Sequence, residues 1–399
     1  MRTTPEQEVL LLCGRVRLEN GPAHRLRKLL QRGDLDWKAV LDLGERHATT
    51  PLLHHHLSTQ GARWVPAPVL GELRKRYLAI AARSLALGRE LVEILEVLED
   101  AGCPGVAWKG PVLAARFYPG PDLRSFNDLD LIVRRRDVEG ALDVLKARGY
   151  VSVPGRDLPE EERVRSPEQD LTMEHPETGI LLDLHWGRVQ RYHSVAMDCD
   201  VLWEESERVV LHGREIRALA ADTLLIALVL HGAKHGPFPW PSLKWVTDME
   251  ALVRARPEGW WPGVFVRARS VGCFRRLLLG LLLARELLET PLPEAVETAL
   301  REEPGLADLV PGIRQRLLAT GPVEFTLGDR LAFDLAVRER RRDRMRYRAR
   351  RLLLPGRRDA RRLPVPLRFL QPPLRLIRLA RGYALRPSRL RRLLGGGDT

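Results

Sequence analysis

Lysine is scarce in this chain, with seven among 399 residues against 58 arginines. A bias of that size is a property of the background composition, so most surface arginines carry little information and the few lysines carry more. Lys109, Lys234 and Lys244 all fall in motif-like segments, where a compact, strongly hydrated ammonium serves better than a planar guanidinium. Cysteine is also rare. Cys13, Cys103, Cys199 and Cys273 stand singly with no Cys-x-x-Cys pair, which excludes a disulfide framework and a zinc ribbon. Long apolar runs are missing as well: residues 224–230 and 277–284 are the longest, far short of the roughly 20 residues a bilayer-spanning helix needs. No secretory leader pattern is read at the N-terminus, so a reducing cytoplasm is the expected location.

The formal charge of +13 is not spread evenly. Residues 331–399 hold 21 arginines against five acids, a surplus of sixteen, which leaves the rest of the chain at −3. Such a tail suits nucleic-acid phosphates, an anionic membrane surface or a partner protein. The near-neutral remainder disfavours a polynucleotide as the main substrate.

What the chain does contain is Asn127-Asp128-Leu129-Asp130-Leu131-Ile132-Val133. Two carboxylates at i and i+2 in an apolar β-type run project from one side of a strand, with Cα atoms about 6.5–7 Å apart. That separation suits convergence on one or two divalent cations about 3.5–4 Å apart, although Asp-x-Asp also occurs in solvated turns. A second run, Ile180-Leu181-Leu182-Asp183-Leu184-His185-Trp186, carries one carboxylate in its middle and follows the turn Pro176-Glu177-Thr178-Gly179, which predicts a hairpin. A buried Asp183 needs a metal, a base or an arginine as partner.

The run Trp108-Lys109-Gly110-Pro111-Val112-Leu113-Ala114, then Tyr118-Pro119, Leu123-Arg124, Asp128 to Val133, Asp183-Leu184-His185-Trp186 and Leu243-Lys244-Trp245-Val246-Thr247-Asp248 resembles the uncharacterised nucleotidyltransferase family of the polymerase-beta-type superfamily, over roughly residues 40 to 255. The resemblance implies that Asp128 and Asp130 ligate metal, Mg²⁺ with two ions expected. It also implies that Asp183 is the third ligand and accepts the proton of the attacking hydroxyl. Lys109-Gly110 stands where the superfamily carries a phosphate-binding Gly-Ser turn, a departure that removes the serine. Gly110 still permits close backbone approach, helix N-terminal amides favour an anion, and Lys109 supplies a point charge. The acceptor is not implied.

Around these motifs the expected fold class is α+β. A helical N-terminal arm (1–102) includes a long helix from about Pro68 to Ala101 stopped by Gly102. A polymerase-beta-type core (103–220) is expected to form a small mixed sheet backed by helices. A helical C-terminal domain (221–335) precedes a basic Arg/Pro-rich tail (336–399). Residues 153–165 read as a mobile loop. His54-His55-His56 does not read as a metal site, because consecutive helical residues point about 100° apart. His231 and His235 stand at i and i+4 with Lys234 on nearly the same face, a cluster suited to triphosphate or acceptor. Lys244 and Arg124 join the expected nucleotide contacts, and Asp248 is expected to pair with Lys234, Lys244 or an arginine.

The reading is a transferase moving a nucleoside monophosphate from a Mg²⁺-bound NTP, ATP by default, to a hydroxyl or phosphate of a small molecule, peptide or protein. Two competing classes are a non-catalytic nucleotide-binding adaptor and a tRNA-directed enzyme that uses the tail as a clamp.

Overall fold

Alternation of leucine with acid sets the centre of the structure. A computed structural model of the chain describes residues 3–153, 170–189, 197–234, 238–321 and 323–353. Strands β1 (Val106–Ala107), β2 (Asp128–Ile132), β3 (Val151–Ser152), β4 (Asp170–His175), β5 (Ile180–His185), β8 (Ser206–Leu211) and β9 (Arg214–Leu219) form a seven-stranded mixed sheet in the order β3-β4-β5-β2-β1-β9-β8. A two-residue pair, β6 (Arg188–Val189) with β7 (Met197–Asp198), lies apart. In the middle, β2 runs parallel to β5 and antiparallel to β1.

Leu129, Leu131, Leu182 and Leu184 are wholly buried on one face. They pack there with Leu87, Leu91, Ile94, Leu95 and Leu98 of the 34-residue helix Ala67–Asp100 and with the helix Val138–Ala147. Each such side chain contributes about 1.5–3 kcal/mol through burial. A one-residue slip of β2 or β5 would turn its leucines out and its acids in, so the core fixes the register. Helix Ala67–Asp100 follows the expected 3.6-residue stripe and ends at Gly102 (φ 73°), where the Cys103 amide donates to the Leu98 carbonyl. The predicted hairpin forms at Gly179 (φ 63°), whose amide donates to the His175 carbonyl.

The β8–β9 hairpin was assigned to the core only by position. Its turn residues His212 and Gly213 both have positive φ, 49° and 76°, a two-residue turn whose hand matches strand twist. It extends the sheet through β9, parallel to β1.

The opposite face of the sheet is covered by helices, Gly110–Phe117, Ala221–Lys234 and Leu243–Arg254 among them, with Phe274–Leu288 behind. No helix among the described residues is long and apolar enough to cross a membrane, and the four cysteines are free and buried. The loop expected at 153–165 lies outside the described residues from 154 on, and so does the tail beyond 353.

The N-terminal arm grips helix Leu243–Arg254. Its first helix, Pro5–Cys13, is fixed by a capping box between Thr4 and Gln7. Thr247 Oγ1 donates to the Gly14 carbonyl (2.7 Å) and the Val16 amide donates to Glu250 Oε2 (3.0 Å). Glu250 is wholly buried, and Arg254 Nε donates to its other oxygen at 2.9 Å. Burial pushes the Glu250 carboxyl up from 4.5 to about 7, against the pull of Arg254 and the Val16 amide. A raised folded-state pKa means tighter proton binding in the folded protein. The stability it confers is therefore complete below pH 4.5 and lost as pH rises toward about 7. Relative to Glu250→Gln, the parent chain should lose stability across that window in denaturant melts; a difference constant with pH would contradict this placement.

Candidate functional site

The acidic face of the central strands is the candidate site. Asp128 and Asp130 share one face of β2, as the i, i+2 pattern predicts, and the β2–β5 register, with Asp130 beside Asp183 and Asp128 beside Leu181, adds Asp183 to that face. Ile132 lies beside His185, which puts that imidazole on the same face two positions after Asp183. One ligand atom from each of Asp130, Asp183 and His185 lies within 4.8 Å of the others. Asp128, expected as a ligand, is not part of that cluster, although its charge is felt by the site. His185 is the residue that sequence reading overlooked. The two-residue strand period from Asp183 was the signal.

Each member is held. Lys109 Nζ sits 2.9 Å from Asp130 Oδ1, with its side chain 12% and that of the aspartate 4% exposed, and the ammonium lies 3.7 Å from the Trp108 ring centroid. His185 Nε2 stands 3.5 Å from the same Asp130 oxygen, too long for a good hydrogen bond, and this buried nitrogen has no hydrogen-bond partner among the described residues. Thr172 Oγ1, opposite Asp183 on β4, donates to Asp183 Oδ1 at 2.6 Å. The carboxyls of β2 are driven apart. Burial and the neighbouring Asp130 and Asp183 charges raise Asp128, with Lys109 and Lys244 opposing. Asp130 also feels burial, yet Lys109 and His185 override it and hold its carboxyl well below the usual range.

Lys109 ends the segment that leads into helix Gly110–Phe117. Gly110 has φ 50°, a left-handed backbone conformation that favours glycine, and its Cα side faces the Asp128 carbonyl oxygen, 3.4 Å from where a Cβ would stand. The helix N-terminus therefore abuts the acidic strand.

Arg124, expected among the nucleotide contacts, is engaged by a carboxylate of the chain itself. Its side chain, 4% exposed, binds Asp248 in a fork, Nε to Oδ1 at 2.7 Å and Nη2 to Oδ2 at 2.8 Å, while Tyr118 Oη donates to Oδ1 at 2.7 Å. Asp248 thus found the arginine among its expected partners. Arg124 Nη1 also reaches the Gly110 carbonyl at 3.4 Å. The pair ties helix Leu243–Arg254 to the glycine turn.

That helix brings Lys244 to the site. Burial and the Arg124 charge push its pKa down, with Asp248 and Asp128 opposing, and among the described residues its ammonium has no ion-pair partner. The N-terminal arm sets the start of this helix. His47 Nδ1 accepts from the Leu243 amide (3.2 Å), and its carbonyl accepts from Ser242 Oγ (2.9 Å) and the Lys244 amide (3.3 Å). Burial pushes the His47 pKa down to about 4, which keeps the ring neutral and able to accept. On the far side, the His231 ring lies 5.1 Å from Trp245 and 6.2 Å from Trp108, both edge to face, and Trp108 lies 6.0 Å from His185. His231 is therefore brought to the wall of the site. His235 and the side chain of Lys234 lie outside the described residues.

Residues 33–289 match the family of uncharacterised nucleotidyltransferases. The chain belongs to that family. Among solved structures, the solution structure of the antibiotic-resistance factor ANT(2'')-Ia, titled as revealing substrate-regulated conformation dynamics, is similar at 14% identity. The match covers 47% of this chain and 93% of that one, with a TM-score of 0.34. Among curated proteins none matches the sequence. The family match encloses every site residue named above, from His47 to Asp248, and includes helix Ala67–Asp100 along with the sheet.

In this nucleotidyltransferase family member the Arg124–Asp248 fork is buried and fully enclosed, so removing one partner strands a charge. Asp248→Ala should cost about 3–5 kcal/mol in urea melts, and the double replacement Arg124→Met with Asp248→Leu should recover most of it. A single variant as stable as the parent would show that the fork does not hold the helix.

Proposed function

We propose that this chain transfers a nucleoside monophosphate from a nucleoside triphosphate to a hydroxyl or phosphate of an acceptor, in a polymerase-beta-type core that uses a divalent cation, Mg²⁺ in the first instance. The observation that carries the reading is the in-register placement of Asp130 beside Asp183 on parallel strands, with Asp128 two residues back, next to the Gly110 helix start. Family membership supports the transferase class.

The residues fit a cation. Three donor atoms lie within 4.8 Å of one another, the buried His185 Nε2 has no hydrogen-bond partner among the described residues, and clustered carboxylates in a low-dielectric site favour positive charge. Asp130, Asp183 and His185 would hold the ion, with Asp128 adjoining. A bound divalent cation supplies charge neutralisation across the triphosphate and alignment of the attacking and leaving oxygens.

The chain's own groups do the rest. Gly110 lets the backbone approach the phosphates, and the positive end of the helix Gly110–Phe117 dipole favours an anion. Lys109 and Lys244 neutralise phosphate oxygens, Lys109 exchanging part of its hold on Asp130 for the nucleotide. Asp183, oriented by Thr172, accepts the proton of the acceptor hydroxyl as it attacks the α-phosphorus and pyrophosphate departs. His231 stands on the wall where developing charge needs a donor, and Lys234 and His235 belong to the same proposed cluster. Arg124 acts as a positioning residue: it holds the glycine turn and, through Asp248, the helix that bears Lys244. ATP is the default nucleotide, and the acceptor class is a small molecule, peptide or protein. We place the enzyme in the cytoplasm, and we assign to its basic C-terminal tail an anionic surface or a partner as its contact.

Labelled NTP offered with a lysate of the source cell, followed by pyrophosphate release on the acceptor so found, tests the reading. Asp130→Asn and Asp183→Asn should each lower turnover by at least about 10²–10³-fold, the loss seen when one preorganised electrostatic group is removed, with circular dichroism unchanged. Turnover retained in both variants would refute the assignment. Binding of NTP with no turnover on any acceptor would favour the adaptor reading instead.

A further inference from the structure

We propose that His185 is a direct ligand of the bound cation, and that this nitrogen shifts the site's preference from Mg²⁺ toward a first-row transition ion. The inference rests on the nucleotidyl-transfer reading and adds to it the kind of cation the site selects.

The geometry is that of a site slightly open before an ion draws it in. Ligands at right angles around an ion at about 2.1 Å lie about 3 Å from one another. His185 Nε2 is 3.5 Å from Asp130 Oδ1, and the Asp130, Asp183 and His185 donors lie within 4.8 Å as a group. Small side-chain shifts close the remainder.

Two further observations single out the imidazole. Its Nε2 is buried and makes no hydrogen bond among the described residues, although an unmade bond at a buried polar atom costs about 1–3 kcal/mol. A ligand at that nitrogen removes the cost. The backbone of His185 is fixed on both sides, by pairing with Ile132 across β2–β5 and with Asp170 across β4–β5, and its ring meets Trp108 edge to face. Asp183 is likewise held by Thr172, the kind of outer hydrogen bond that orients a metal ligand.

The donor chemistry then decides the ion. Mg²⁺ is hard, keeps its waters and takes oxygen ligands. An imidazole nitrogen beside two carboxylates favours first-row transition ions.

Mn²⁺ is the probe, because its electron spin reports coupling to a ligand nitrogen without any need for turnover. Pulsed electron paramagnetic resonance on the full chain with Mn²⁺, with and without a non-hydrolysable ATP analogue, should show coupling to ¹⁴N that changes to the ¹⁵N pattern when histidine is labelled and disappears in His185→Asn. Mn²⁺ should bind more tightly than Mg²⁺. His185→Asn should weaken Mn²⁺ by at least the ~10-fold that loss of even a supporting outer group costs, and Mg²⁺ by less. His185→Gln serves if the asparagine variant is unstable. Bound Mn²⁺ without nitrogen coupling, or coupling that persists in the variant, would overturn the role of His185 and leave the carboxylate site standing. Failure of both ions to bind, with or without nucleotide, would overturn the function proposed above together with this inference.

Discussion

Two carboxylates held side by side in a sheet repel each other, and strands only about 4.8 Å apart in a low-dielectric interior leave them no room to separate. Asp130 and Asp183 are in that position, and the rest of the site follows from the need to balance them. Lys109 supplies one positive charge, His185 a nitrogen, Thr172 a hydrogen bond and Lys244 a nearby cation. The acids cannot escape by a change of register, because the leucines that alternate with them are wholly buried on the opposite face. Core packing thus creates the electrostatic problem that the proposed cation would resolve.

The helices that cover the acidic face are fixed by interactions of the same type. Arg124 and Asp248 are both removed from water, and their fork joins the glycine turn to helix Leu243–Arg254. His47, Gly14 and Val16 of the N-terminal arm hold that helix from the other end. Lys244 is therefore placed by contacts from three separate parts of the chain. A lysine whose ammonium is partly desolvated beside Asp128 is suited to exchange water for a phosphate oxygen.

Features whose cause is local were legible in the sequence. The two-residue period put Asp128 and Asp130 on one face, Pro176 to Gly179 marked the hairpin, and Gly102 stopped the long helix. What depends on distant pairing was not legible. Nothing in the chain order states that β2 lies parallel to β5, so the contact of Asp130 with Asp183 came from the family resemblance and not from spacing. The Arg124–Asp248 fork joins residues 124 positions apart, which no local pattern states. His185 is legible by its two-residue period from Asp183. The β8–β9 hairpin carried its signal in His212-Gly213, a turn that also depends on a sheet edge to receive it.

The central claim is that the shared face of β2 and β5 gathers a cation beside the Gly110 turn. Crystals of the full chain soaked with Mn²⁺ and a non-hydrolysable NTP, measured at the manganese absorption edge, test it most directly. The account predicts an anomalous peak within coordinating distance of Asp130 and Asp183, with the triphosphate lying toward the start of helix Gly110–Phe117. A peak bound elsewhere on the molecule, or nucleotide density remote from these two aspartates, would contradict it.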